Sequence, residues 1–203
     1  MASRSLARIF SLATILCLGL APALAWAQVT TFSTQDNPRA DGLAFTIDYP
    51  ADYELVDSPK VPNQLFVAYS EKPEFPTVLT VLVDPLPQTQ PPYDYKLFTQ
   101  GNLDEFVAAA FTAPGQTPRI LYKSIGQFKS HSSIRAKALV NQTFKDQNQP
   151  SIEEILFVIY NNHNITIVCS TFNSQHNPNI LLHFAEQGSY EACGAFFNSL
   201  VLP

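Results

Sequence analysis

The stretch that decides the fold is IEEILFVIYNNHNITIVCSTF, residues 152–172. It contains two runs of apolar and β-branched residues, 152–161 and 164–172, and such runs are typical of β-strands. Asn162 and His163 lie between the two runs, and Asn tolerates the positive φ angles of a two-residue hairpin turn. We therefore predict an antiparallel hairpin with its tip at Asn162 and His163.

Further strands are predicted on the N-terminal side of this hairpin from similar patterning. They comprise residues 43–49, 53–56, 65–70, 77–83, 119–129 and 133–144. Residues 77–83 are almost continuously apolar or β-branched, which predicts a central strand covered on both faces. The proline-rich stretch 84–93 that follows is predicted to be an extended connection. Short turns between the later strands favour an antiparallel sheet.

Two regions have the three- and four-residue apolar spacing of helices. Residues 102–111 predict an amphipathic helix, with Asn102 as N-cap and Glu105 completing a capping box. Residues 179–200 predict two helical pieces with a break near Gly188. The fold class predicted from the sequence is therefore α+β, an antiparallel sheet of about six strands flanked by helices.

The N-terminus has the three parts of a secretory signal peptide. Arg4 and Arg8 precede an apolar run, and small residues at Ala25 and Ala27 predict cleavage between Ala27 and Gln28. The predicted organisation is a signal peptide over residues 1–27, a flexible lead-in over 28–42 and a single α+β domain over 43–203. Removing the signal changes the formal net charge from −5 to −7.

The two alternatives to a cleaved signal are a membrane-spanning anchor and a lipid anchor. The apolar segment is interrupted by Gly19 and Pro22 and is shorter than the roughly 20 residues of a membrane-spanning helix. Cys17 suggests lipid attachment, but bulky Leu16 precedes it. We expect a mature protein without a stable membrane anchor, located in the periplasm or secreted. Its acidity and scattered basic residues argue against nucleic acid as a partner.

Two cysteines remain after signal removal, Cys169 and Cys193. In an oxidising compartment this number predicts one disulfide. Cys169 shares a strand face with Ile165 and Ile167, and Cys193 lies on an apolar helix stripe, so a helix folding back on the strand would bring the sulfurs together. Two buried free thiols remain the alternative.

Residues that could carry chemistry are few. The histidines His131, His163, His176 and His183 occur mostly in turn-like segments and have no metal-ligand spacing. Gly188 precedes Ser189, but the Gly-x-Ser-x-Gly pattern of a hydrolase nucleophile does not occur and the pair is read as a helix break; no phosphate-binding glycine loop occurs. The sequence therefore predicts no catalytic residues, no metal site and no cofactor.

Four stretches resemble the PsbP-like family, which includes DcrB-type periplasmic proteins. They are residues 45–50 with Tyr53, the helix at 102–111, the strand at 165–171 and the ending at 196–200. Tyr53 stands where the family commonly has Trp, and the lipid-attachment signal of DcrB-type members is absent. The resemblance implies a sheet sandwiched by helices and an assembly, stability or binding accessory rather than an enzyme. It transfers no functional residue.

We expect an exported, soluble, non-catalytic protein that binds an unidentified protein partner. The stretch 84–93, with Tyr93 and Tyr95 beside it, is a candidate contact surface. The alternative is a secreted enzyme or effector whose site is assembled from distant residues, with His183 and Glu186 as first candidates.

Overall fold

A computed structural model describes residues 28–56, 61, 63–70, 72, 75–89, 92–112, 117–144, 147–173, 175–186 and 191–203. The strands are β1 (Val29–Ser33), β2 (Thr46–Pro50), β3 (Glu54–Leu55), β4 (Gln64–Ser70), β5 (Thr77–Pro85), β6 (Arg119–Phe128), β7 (His131–Phe144), β8 (Gln147–Tyr160) and β9 (His163–Phe172). The helices are α1 (Gln100–Phe111), α2 (Pro178–Glu186) and α3 (Glu191–Ser199), and two short 3-10 helices span Pro38–Ala40 and Tyr95–Leu97. No helix within the described ranges has the length and hydrophobicity needed to cross a membrane.

Seven strands form one antiparallel sheet in the order β3-β4-β5-β9-β8-β7-β6, and β1 and β2 form a separate two-stranded ribbon. One face of the large sheet packs against α1 through Leu103, Val107 and Phe111. The other face packs against the ribbon and against α3 through Phe196 and Phe197. The predicted α+β sandwich is therefore confirmed, with seven strands in the main sheet where about six were expected.

The centre of the sheet is β9. Its hairpin with β8 is the one predicted from residues 152–172, although the turn uses Asn161 and Asn162, both at positive φ (46° and 62°), in place of Asn162 and His163. β5 is an interior strand, but its burial alternates, whereas β9 is buried along both faces for most of its length. β9 lies between β5 and β8 at the middle of the seven-stranded order, so it has the central place that apolar content had suggested for β5.

The predicted disulfide joins this central strand to the last helix. Cys169 of β9 and Cys193 of α3 are bonded, with their Cα atoms 5.5 Å apart, and both residues are buried. The predicted helix break near Gly188 and the signal peptide, up to Ala27, lie outside the described residues. The bond fixes α3 to the middle of the sheet.

The prediction that residues 28–42 form a flexible lead-in is wrong. This segment contains β1, which pairs with β2 from Val29–Pro50 to Ser33–Thr46, and Phe32 packs on Phe66 with ring centroids 5.0 Å apart. Most β1 side chains are exposed, so the strand carries no alternating apolar pattern from which it could be predicted. Backbone pairing, and not side-chain burial, makes it a strand.

Helix α1 begins earlier than predicted. Thr99 is the N-cap: the Asn102 N–H donates to the Thr99 hydroxyl (3.2 Å), and the Thr99 N–H donates to Asn102 Oδ1 (3.1 Å). Asn102 thus occupies the third helical position of a capping box, the place usually held by Glu or Gln. The predicted box starting at Asn102 is therefore shifted by one turn.

Candidate functional site

The histidines singled out by sequence for chemistry form no common group where the structure describes them, and Ser189 lies outside the described residues. His163 contacts Asp41 (Nε2 to Oδ2, 2.9 Å) at one end of the sheet, His131 packs edge-on against Tyr160, and His183 is exposed on α2. Within the part of the chain that is described, no three His, Cys, Asp or Glu side chains form a group suited to a metal ion. These residues therefore define no shared site.

The expected contact surface beside residues 84–93 is corrected in one respect. Tyr95 is fully buried, and its hydroxyl donates to Asn164 Oδ1 at 2.8 Å. Burial raises the pKa of this hydroxyl, so it stays protonated. Tyr95 is thus a core residue that cannot contact a partner, while Tyr93 and Leu97 line an open groove of about 470 Å³ on the outside.

A different cavity, which we call the α2 cleft, combines apolar walls with charged side chains. It lies between α2 and strands β6–β8 and has a volume of about 500 Å³. Its lining comprises Leu121, Tyr122, Arg135, Ala136, Lys137, Glu154, Leu182, Ala185 and Glu186. Glu186, the carboxylate suggested by sequence, is therefore at this cleft, but His183 is not among its lining residues.

The register of the sheet places the charges of the α2 cleft. Lys137 of β7 pairs with Glu154 of β8, and Glu154 pairs in turn with Cys169, so all three lie in one row across the face that carries α3. The Glu154 side chain is only 3% exposed. Its carboxylate contacts Lys137 Nζ at 3.3 Å and Arg135 Nη2 at 3.5 Å. Two cations therefore neutralise one buried carboxylate.

Each cation has a second anchor. Lys137 Nζ donates to the carbonyl oxygen of Ala185, near the C-terminal end of α2, at 3.5 Å. Helix C-termini favour positive charge, so this contact holds α2 over the sheet. The Arg135 guanidinium lies over the ring of Phe197, 5.3 Å from its centroid, and its side chain is 40% exposed.

Arg135 also lines a smaller neighbouring cavity of about 180 Å³. This second cavity continues along β6, with Ser124, Gly126 and Phe128 in its lining. Gly126 leaves open space where a side chain would stand, since an added Cβ meets nothing within 4 Å. One half-exposed guanidinium is thus accessible from two adjacent cavities.

The β6–β7 hairpin gathers positive charge in an acidic protein. Residues 119–144 contain no Asp or Glu, but they contain the following five basic residues: Arg119, Lys123, Lys129, Arg135 and Lys137. Asp104 of α1 pairs with Lys123 at 2.7 Å, and Glu154 pairs with two others. Arg119 and Lys129 are exposed, and Lys129 Nζ donates to the carbonyl oxygen of Leu200.

Sequence reasoning missed this surface because the basic residues are scattered along the chain. The sequence does contain one indication of this surface, because no acidic residue occurs between Glu105 and Asp146. Antiparallel pairing then brings Arg135 and Lys137 beside β6. The positions of acidic and basic residues, taken together, would therefore have predicted a positively charged hairpin.

Glu153, next to Glu154 in sequence, points to the opposite face of the sheet. Burial raises the pKa of Glu153 to about 7, and a hydrogen bond from Gln142 opposes part of that rise. The two carboxylates therefore do not act on a common ligand.

No protein-family model and no curated protein matches this chain. Solved structures do match. The solution structure of cyanobacterial PsbP (CyanoP) from Synechocystis sp. PCC 6803 aligns with a TM-score of 0.54 and 12% identity, covering 92% of this chain and 99% of that one. The fold is PsbP-like.

A second PsbP-like match is the Saccharomyces cerevisiae Ran-binding protein Mog1p, with a TM-score of 0.51 and 9% identity over 86% of this chain and 96% of that one. The resemblance inferred from residues 45–50, 102–111, 165–171 and 196–200 is thus confirmed at the level of the fold. Identities this low carry over no ligand or partner.

Proposed function

We propose that this chain is an exported, non-catalytic accessory protein that binds an acidic partner protein through its β6–β7 hairpin. The observation that carries the proposal is the segregation of charge: five basic and no acidic residues in residues 119–144 of a chain with a formal net charge of −5. Such a patch attracts an acidic surface and speeds association at low salt.

The state of Glu154 supports binding over catalysis. Its buried carboxylate contacts two cations, Lys137 and Arg135, and a buried ion pair of this kind fixes the relative positions of the elements that carry it. The two mature cysteines are joined to each other. The Glu154 carboxylate and the two cysteines, the most reactive groups near the α2 cleft, therefore serve to position α2, α3 and Arg135.

Export is supported by the N-terminal pattern and by the disulfide, since disulfides persist mainly in oxidising compartments. We expect the mature protein to begin at Gln28 and to lie in the periplasm or outside the cell. The only Trp is Trp26 and the only Met is Met1, so the exported protein should have no tryptophan emission. Fractionation with N-terminal sequencing tests the location; recovery of an uncleaved cytoplasmic chain would refute it.

The partner is tested by affinity purification of the exported full chain from its producing cells, followed by mass spectrometry. In the test variant, Arg119→Glu and Lys129→Glu reverse two exposed hairpin charges. In the control, Arg39→Glu and Lys96→Glu make the same change of net charge at exposed positions elsewhere. We expect the partner to be lost only from the hairpin variant. Equal recovery by both variants would overturn the proposed surface.

A secreted enzyme remains the second candidate, because Glu186 lines the α2 cleft. If Glu186 were catalytic, Glu186→Gln would abolish an activity found in the secreted fraction and leave partner capture unchanged. For a binding protein we expect no such activity.

A further inference from the structure

The position of β6 indicates how an acidic partner would bind. β6 is the last strand of the main sheet, and within the described residues it pairs with β7 on one side and with no strand on the other. A register shift between Ile120 and Tyr122 disturbs its first part, whereas Tyr122–Lys137 to Phe128–His131 pair in regular sequence. The free edge suited to another strand is therefore residues 122–128.

Resting on the function proposed above, we propose that an extended acidic segment of the partner adds to the β6 edge as a further strand and directs a carboxylate to Arg135. Backbone hydrogen bonds would supply part of the affinity, and side-chain pockets would supply the specificity.

The side chains of β6 fit this arrangement. Tyr122, Ser124 and Gly126 pair with Lys137, Arg135 and Ser133, so these positions share the face that carries the α2 cleft and the smaller cavity. Alternate residues of an added strand would lie over the same face, about 7 Å apart. Ser124 has a small side chain and Gly126 has none, so these positions leave a path across β6. The added strand would lie about 10 Å from β7, and one of its Glu side chains would reach Arg135 along this path.

The charge pattern selects one kind of occupant. A second copy of this chain pairing through the same edge would bring two positively charged hairpins together, and like charges on adjacent strands are destabilising. Lysine on an edge strand also discourages apolar strands from adding. An acidic extended segment satisfies both conditions, since it brings the charge that residues 119–144 lack.

The test uses the disulfide-bonded mature protein and an acidic seven-residue probe, acetyl-Thr-Glu-Val-Glu-Val-Glu-Thr-amide, with a control peptide in which Gln replaces each Glu. Hydrogen exchange of backbone amides is measured at low salt. We expect the acidic probe to protect alternate amides between Tyr122 and Phe128, and the Gln peptide to give at least tenfold weaker binding. Two further probes carry N-methyl groups on one or the other set of alternate amides, and only one of them should lose binding.

The matched protein variants are two glycine substitutions. Gly126→Leu fills the path to Arg135, whereas Gly194→Leu lies on α3, and in both cases the new Cβ enters open space. We expect Gly126→Leu to weaken probe binding at least tenfold and Gly194→Leu to leave it unchanged. Arg135→Gln should weaken the acidic probe and abolish its advantage over the Gln peptide.

The outcomes separate the two proposals. Binding without protection of residues 122–128, or equal binding of both N-methyl probes, would overturn strand addition, and so would absence of any binding by the acidic probe. In each case, the proposed function would still be supported if the cellular partner is lost from the Arg119→Glu, Lys129→Glu variant and kept by the control variant. If that loss is not found, the proposed function fails as well.

Discussion

Removing the cross-link between Cys169 and Cys193 should lower the free energy of unfolding by about 3.5 kcal/mol. The bond joins residues 24 positions apart in sequence. For a closed loop of about 25 residues, the chain-entropy relation gives about 3.5 kcal/mol at 25 °C. Because both residues are buried, replacing them with Ala adds the loss of packed sulfur atoms, about 1 kcal/mol more.

Three proteins separate these contributions: the oxidised chain, the same chain reduced while unfolded and then refolded, and the Cys169→Ala, Cys193→Ala double variant. Urea unfolding followed by far-UV circular dichroism gives the free energy and the m-value of each. The reduced chain isolates the cross-link, and the double variant adds the packing loss. The m-value should rise when the link is absent, because the unfolded chain expands.

Two results would refute this reasoning. One is a reduced chain whose free energy of unfolding lies within 1 kcal/mol of the oxidised chain. The other is the detection of two reactive thiols in the unfolded, unreduced protein, which would mean that the buried-thiol alternative is right. A reductant that changes the stability of the double variant would show that the assay reports something other than this bond.

Three further predictions concern single side chains. Glu153 should be protonated in the folded protein below pH 7, whereas in the unfolded chain it ionises above its ordinary pKa of 4.5. The free energy of unfolding should therefore fall as the pH rises from 4.5 to 7, by up to about 3 kcal/mol. Glu153→Gln should flatten this dependence and be the more stable protein at pH 8; an unchanged slope in urea titrations at several pH values would contradict it. Glu154→Gln should cost about 3 kcal/mol because it removes the carboxylate charge beside Lys137, which is 11% exposed, whereas Asp104→Asn at the exposed pair with Lys123 should cost under about 1 kcal/mol. Equal losses in thermal melts would count against the buried pair. Thr99→Ala should cost about 1 kcal/mol in thermal melts by removing the N-cap of α1. Thr112→Ala, which removes a hydroxyl that donates to the Ala108 carbonyl at the other end, should cost less, and an equal loss would contradict the role of the N-cap.

Sequence reasoning succeeded where burial selects apolar residues. Residues 164–172 are apolar and β-branched enough to predict β9, and one face of that strand carries Cys169, from which the link to α3 followed. It failed for β1, whose exposed side chains have no period, and at α1, where Thr99 caps the helix one turn before the predicted start. Backbone pairing and local capping leave weaker marks in composition than a buried face does.

The α2 cleft could not be predicted for a different reason. Its charged residues come from β7, β8 and α2, and only the strand register places Lys137 opposite Glu154. A shift of one residue would have turned Glu154 to the other face and Glu153 towards α3. The sequence contained the charges but not the register that joins them.

The two edges of the main sheet argue for a role of β6 in recognition. β3, at one edge, has two residues, which is too short to accept another strand, whereas β6 has ten at the other. A long edge is an aggregation hazard unless something limits what pairs with it. Here Arg119 and Lys123 lie on the strand itself, and Arg135 stands behind it, so apolar or basic strands are disfavoured while acidic ones are not. The charges on β6 would be enough to protect this edge from aggregation. They do not explain why the Arg135 guanidinium is accessible from two cavities, whereas the proposed strand addition does.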